Sequence, residues 1–200
     1  MDQPLAMERT FFSKGYQTIG GLDEVGRGCI AGPVVAACVV LDPNKFEIAD
    51  KIDDSKKLSE NKREALVPLI TQQAIAIGIG LVDQYRIDKI NILQASLEAM
   101  VIALKNCDVQ PSLCLIDGNQ KIKTSIEQVT VVQGDQKVVA IAAASIIAKV
   151  YRDCFMKDQA QKYPYYGFDK HKGYGTKLHK NAILQHGFCD LHRRSFRINF

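Results

Sequence analysis

The chain has 200 residues, ample for a sizeable hydrophobic core, and its 46% hydrophobic and 24% charged residues are those of an ordinary globular protein, which excludes disorder as a description of its bulk. The formal net charge of +4 is mild but uneven: Tyr151–Phe200 carries ten Lys+Arg against four Asp+Glu, while the preceding residues are slightly acidic. No basic segment followed by a long apolar run marks a signal peptide, and no stretch reaches the roughly 18 uninterrupted apolar residues of a membrane span, so membrane and signal-directed classes are set aside. The six cysteines form no C-x-x-C pair and sit mostly among apolar neighbours, as buried thiols do, so a reducing cytoplasm is the simplest compartment.

In chain order, Met1–Lys14 has no clear period and fits a loose leader or a short helix. From Thr18 the pattern is strand-like: TIGGLDE, a turn at Gly26 and Gly28, then the Val-rich PVVAACVVLD, which predicts an antiparallel pair. Asp53–Lys57 is a polar loop, and Ser59 is placed to cap a helix running on to Gln73. Ile75–Asp83 reads as a third strand, and the spacing of Ile90, Leu93, Leu97, Met100, Val101 and Leu104 predicts one long helix from about Arg86 to Lys105. Leu113–Gly118 and Ile126–Val132 are short strands, Val138–Gln161 a buried helix, and Lys177–His186 a final helix after the basic, aromatic loop YPYYGFDKHKGYG. Strands first, then strands alternating with helices, predict an α/β domain around a mixed sheet.

Four acidic residues fall where predicted strands end: Asp23, Glu24, Asp117 and Asp135. Each Asp follows apolar residues and has glycine close by, so its carboxylate would emerge at the edge of the core, where open α/β sheets place their chemistry. Taken singly, each also fits a turn residue making local hydrogen bonds. Clustered, they would repel one another, and a divalent cation is the natural compensation. Oxygen-only ligands favour Mg²⁺ or Mn²⁺ over zinc, and two such ions could activate a water and stabilise the leaving oxygen of a phosphodiester. One difficulty is geometric: Asp23 and Glu24 are neighbours, and neighbours in a regular strand point to opposite faces, so both serve one site only if the strand bends or ends there. The glycines at 26, 28 and 32 are spaced one residue too widely for a dinucleotide fingerprint.

Six blocks, in order, resemble the type 2 ribonuclease H family: GLDEVGRGCIAGP (Gly21–Pro33), DSKKLS (Asp54–Ser59), IDG (Ile116–Gly118), QGD (Gln133–Asp135), AAASIIAKVYRD (Ala142–Asp153) and HKGYGTKLH (His171–His179). Within that family the match is to the ribonuclease HII group, because the HIII group carries an additional N-terminal substrate-binding domain and the leader here is short. The resemblance implies a ribonuclease H-like fold with a helical C-terminal part. It implies one catalytic domain over 1–200, with 1–17 a leader and about 163–200 a basic substrate-contacting part. It also implies hydrolysis of the RNA strand of RNA–DNA hybrids, and cleavage 5′ of ribonucleotides embedded in duplex DNA, leaving 5′-phosphate and 3′-hydroxyl ends. Mn²⁺ or Mg²⁺ would be held by Asp23, Glu24, Asp117 and Asp135.

By the same resemblance, the Gly26-Arg27-Gly28 turn senses the ribose 2′-hydroxyl, the group by which protein tells RNA from DNA. Tyr174 matches the family's specificity tyrosine, and its flanking glycines predict exposure, whereas Tyr163, Tyr165, Tyr166 and Phe168 are expected to pack the C-terminal helices. Lys56, Lys57 and Lys172 are candidate phosphate contacts, with Lys170 and Lys177 beside the last. Ser145 and Lys149, four residues apart, share a helix face directed at nucleic acid, and Asp153 is expected to pair with Arg152 or Lys149. A DNA-junction nuclease on the same fold is disfavoured because it has no 2′-hydroxyl to sense, and a silent hybrid-binding module because its carboxylates would hinder phosphate. Little room follows RRSFRINF for a tail that recruits a replication clamp, so no obligate protein partner is expected; nothing in the sequence demands an oligomer, and a monomer is the expectation.

Overall fold

The computed structural model describes residues 6–41, 52 and 58–200. Five strands form one mixed sheet: β1 (Ile19–Val25), β2 (Val34–Leu41), β3 (Ala74–Val82), β4 (Leu113–Asp117) and β5 (Glu127–Val131), in spatial order β3-β2-β1-β4-β5. β1 pairs β2 antiparallel and β2 pairs β3 antiparallel, while β1–β4 and β4–β5 are parallel. The helices are α1 (Ala6–Ser13), α2 (Glu60–Gln73), α3 (Gln84–Ile90), α4 (Ile92–Lys105), α5 (Val139–Lys162), α6 (Phe168–His171) and α7 (Lys177–His186). Among the described residues no helix is long and apolar enough to cross a membrane.

β2 is buried at every position, which explains its unbroken Val and Ala run: its two faces serve two cores. Ile19, Val35, Ala37, Val39, Leu113 and Leu115 face α5. Leu22, Val34, Ala36, Cys38, Cys114 and Ile116 face the side of α4 that carries Ala95, Ala99 and Met100. α5 approaches β1 very closely: a Cβ on Gly21 would lie 2.1 Å from the Ala140 carbonyl carbon, so only glycine permits this packing. A third cluster, built on Met156, Tyr166, Phe168, Ile183 and Leu191, forms the helical C-terminal part.

The single helix expected over 86–105 is instead two. Asn91 stands between them at φ 67, and its side chain accepts from the Gln94 amide at the start of α4, while Asp83 caps α3 in the same way through Arg86. Asn tolerates the left-handed region and caps well, so one residue both breaks the apolar period and restarts it. Ser59 caps α2 as expected, accepting from the Lys62 amide. α1 resolves the choice left by the N-terminal segment. Its Glu8 is buried and accepts from the Ala140 amide at the start of α5, a helix whose own N-cap residue, Val138, has no side chain able to do so.

Candidate active site

The β1–β4 ladder runs from Ile19↔Leu113 to Leu22↔Ile116 and stops, whereas β1 continues beside β2 as far as Val25↔Val35. Asp23 and Glu24 therefore lie just past the last rung with β4, opposite the end of β4 at Asp117. Strand alternation holds: Asp23 pairs with Ala37 on the α5 face, and Glu24 with Ala36 on the α4 face. Both nonetheless line one cavity of about 430 Å³ together with Asp117. The strand neither ends nor needs to bend; what ends is its pairing with β4, and the gap left there admits side chains from both faces.

Ser145 and Lys149 of α5 line the same cavity, as do Gly26, Arg27, Gly28 and Tyr174. Asp23 is buried, and its carboxylate accepts the Glu24 amide at 2.7 Å. Burial and then the charge of Glu24 push its pKa well above the usual carboxylate range; the Ser145 hydroxyl pulls the other way, and the charge of Asp117 adds to the rise. Burial also raises Glu24, against the opposing pull of Arg27, whose guanidinium lies 3.0 Å from it. Asp117 accepts the Gly134 amide at 2.7 Å, which ties the end of β4 to the 3-10 turn Gly134–Gln136. Asp135 sits in that turn, buried, and is not among the residues lining the cavity.

Three carboxylates line one cavity, presenting oxygen alone, and the charge of Asp117 adds to the raised pKa of both Asp23 and Glu24; such a set suits a hard divalent ion. Among the described residues no three acidic, His or Cys side chains close into a preformed cage.

The other predicted contacts divide. Lys149 pairs with Asp153 at 2.7 Å, which decides between the two partners expected for that acid, and its ammonium lies 5.8 Å from the centre of the Tyr174 ring. Lys172 is turned away from the cavity: it is buried, its ammonium donating to the Asp169 carbonyl and lying 3.6 Å from Glu60. Lys170 and Lys177 are exposed and do not line the cavity, and Lys56 and Lys57 lie outside the described residues. Tyr174 is 42% exposed, as its glycine neighbours predict. Tyr166 and Phe168 pack as expected and Tyr163 is half-buried, but Tyr165 is 71% exposed, with only one face stacked on His186.

Three arginines escaped sequence reasoning. Arg63 of α2 lines the cavity, its guanidinium donating to the Leu58 carbonyl; nothing in its sequence neighbourhood marks it. Arg152 is fully buried and donates to the Pro33, Lys172 and Ala31 carbonyls. Its spacing was a usable signal, since Ser145, Lys149 and Arg152 fall at i, i+4 and i+7 of one helix. It also explains Gly26, which has φ 98 and whose Cβ would meet the Arg152 Nε at 2.3 Å. Arg193 is equally buried, although the pair Arg193-Arg194 reads as solvated charge.

The Tyr174 segment rests on a chain of neutral histidines. Cys29 and Tyr174 pair as an antiparallel bridge, joining the tyrosine to the glycine turn. The Tyr174 carbonyl accepts from His179 Nδ1 at 2.9 Å, so Nε2 of that ring is the acceptor for His192 Nε2 at 3.1 Å. His192 Nδ1 then accepts the Cys189 amide at 2.9 Å. Burial lowers both His179 and His192 to about 4, so both rings are uncharged at neutral pH.

The family model described as Ribonuclease HII matches residues 20–199. Ribonuclease HII of Acetivibrio thermocellus is 49% identical over 193 residues, which are 96% of this chain and 75% of that protein. The crystal structure of ribonuclease H2 from Pyrococcus horikoshii OT3 superposes with a TM-score of 0.76 at 28% identity, over 90% of this chain and 93% of the other. Bst-RNase HIII, solved in complex with Mn²⁺, gives a TM-score of 0.65 at 19% identity over 92% of this chain and 67% of that one, a likeness of fold. With a match over nearly its whole length and a mixed sheet ending in clustered carboxylates, this chain belongs to the ribonuclease HII family of endoribonucleases.

Proposed function

We propose that this chain cuts the RNA strand of RNA–DNA hybrids and the strand 5′ of ribonucleotides embedded in duplex DNA, leaving 5′-phosphate and 3′-hydroxyl ends. One observation carries the reading: Asp23, Glu24 and Asp117 line the same cavity as the Gly26–Gly28 turn and Tyr174, so hydrolytic and sugar-reading groups share one space. A DNA nuclease would have the first set without use for the second.

Asp23, Glu24 and Asp117 would hold two Mn²⁺ or Mg²⁺ ions, with Asp135 brought in through the turn that it shares with Gly134. The oxygen-only donor set and the mutual repulsion within it support that choice, and a structural neighbour was solved with Mn²⁺. When bound, such ions supply the Lewis acidity that displacement at a phosphodiester requires. The chain's own groups do the positioning. Ser145 steadies the Asp23 carboxylate, Lys149 and Arg63 offer positive charge to the phosphates, and Tyr174 presents its ring and hydroxyl to the sugar at the junction. Gly28 leaves room for backbone to approach the ribose, since nothing lies within 4 Å of the position of an added Cβ.

The test is a DNA duplex with one embedded ribonucleotide, given in turn with Mg²⁺, Mn²⁺ and EDTA. Cleavage on the 5′ side of that ribonucleotide, dependent on metal, is the expected result. Equal cutting of an all-DNA duplex, or activity that survives EDTA, would overturn the reading.

A further inference from the structure

The segment 191–193 lies across residues 30–32 as a short strap. The Gly32 amide donates to the Leu191 carbonyl at 2.8 Å, the Arg193 amide to Ile30 at 2.9 Å, and Ala31 pairs with His192 as an isolated bridge. From the other side, the Ile30 amide donates to Gly173 at 2.9 Å. The loop that follows the glycine turn is therefore held between the Tyr174 segment and the strap.

Arg193 adds side-chain bonds that reach the turn itself. Its Nε donates to the Gly32 carbonyl at 2.9 Å, and its Nη1 to the Arg27 carbonyl at 3.0 Å, across 166 residues of chain. Among the described residues no carboxylate pairs with it directly, although the charge of Asp88 acts on it; its Nη2 finds no acceptor there, and burial pulls its pKa down to about 10. A cation buried behind backbone carbonyls is costly and requires a reason. Peptide geometry offers one. In a planar trans peptide the carbonyl and the following N–H point in opposite directions. Fixing the Arg27 carbonyl inward on Arg193 turns the Gly28 amide outward, and Gly28 lines the cavity. Among the described residues that amide has no backbone or side-chain acceptor.

We infer that Arg193 is a positioning residue for the choice of RNA over DNA: it orients the Arg27–Gly28 peptide so that the Gly28 amide meets the ribose 2′-hydroxyl. The inference rests on the sugar-sensing reading of the turn given above. Arg193 touches no substrate; it acts through one peptide. Lysine has no planar fork and serves the Gly32 and Arg27 carbonyls together poorly, so Arg193→Lys restores only part of what Arg193→Met loses.

The experiment compares the KM for a duplex with one ribonucleotide with the inhibition constant of the all-DNA duplex of identical sequence. In Arg193→Met the KM rises about tenfold, the loss of one oriented hydrogen bond, while the all-DNA inhibition constant stays within about twofold because phosphate contacts remain. Leu191→Ala, in the same strap, serves as the stability control: it lowers Tm but leaves the ratio of the two constants unchanged. A folded Arg193→Met that keeps the wild-type ratio overturns the role of Arg193 alone. A wild-type enzyme that cuts the ribonucleotide yet binds both duplexes equally overturns the sensing reading as well. Should Arg193→Met not fold, NMR of the wild type in EDTA decides: the Gly28 amide resonance moves with the ribonucleotide duplex and not with all-DNA. Equal movement with both overturns the proposal.

Discussion

At the end of the sheet, Asp23 and Asp117 project from strands whose neighbours are Leu, Ile, Val and Ala, and they are placed by backbone ladders that any apolar strand could make. In the C-terminal part, Tyr174 and the glycine turn are placed by buried polar side chains: Arg152, Arg193, His179 and His192, each bonded to backbone. The carboxylates need only to reach one cavity, and a divalent ion can gather them. A turn that reads a sugar, as proposed for Gly26–Gly28, must stand at a fixed angle, and aliphatic packing is indifferent to which way a carbonyl points. Directional hydrogen bonds from buried donors supply that angle, with the desolvation of those donors as the cost.

The largest effect should separate the two regions most sharply. Asp23→Asn or Asp117→Asn is expected to lower turnover by at least about a thousandfold while hybrid binding survives, because a neutral amide cannot share a divalent ion's charge. Turnover assays beside a binding titration check it, and normal turnover in either variant would remove these residues from the chemistry. Next, Tyr174→Ala should cut single-ribonucleotide cleavage roughly ten- to a hundredfold with a smaller change in Tm than a core substitution gives, since Tyr174 is 42% exposed. Unchanged cleavage would move the sugar contact elsewhere.

The histidine chain gives the C-terminal part a pH dependence opposite in sign to that of the raised carboxylates on the sheet. His179 and His192 stand at about 4 in the fold against an ordinary 6.5. The unfolded chain therefore takes up protons that the fold refuses, so their contribution to stability is whole above about pH 6.5 and declines as pH falls towards 4. Between pH 7 and pH 5 the melting temperature should fall on the order of 5 °C, and His192→Asn, already destabilised, should show a flatter profile. Identical slopes for wild type and variant would show that these rings do not carry the effect.

The smallest effect belongs to the start of α5, the helix that packs on the sheet. Glu8→Ala removes the acceptor for the Ala140 amide and should cost about 1–2 kcal/mol in a denaturant melt, as losing a helix cap does, with KM unchanged. A raised KM would mean that the start of α5 also governs Ser145 and Lys149.

Much of the fold was legible in the chain. Ser59, the Val-rich β2 and the Ala-rich α5 announced their elements because capping and periodicity are local properties. Asn91 was equally local, and it was passed over because an unbroken apolar period outweighed one polar residue. Lys172 shows the opposite limit: its block matches a substrate-binding motif, yet in the fold its ammonium donates to the Asp169 carbonyl and lies 3.6 Å from Glu60, outside the cavity lining.

What the sequence by itself determined was which residues carry charge at strand ends, where a glycine-rich turn follows the first of them, and which face of α5 is polar. Only the tertiary structure decided that β4 leaves β1 one residue before Asp23, so that both faces of a strand open on one cavity. It also decided that Arg193, which reads as surface charge, lies buried behind Arg27. The reason is range: propensity and period act over a few residues, whereas a ladder's last rung and a guanidinium's acceptors depend on segments about a hundred residues or more apart, which meet only when the core forms.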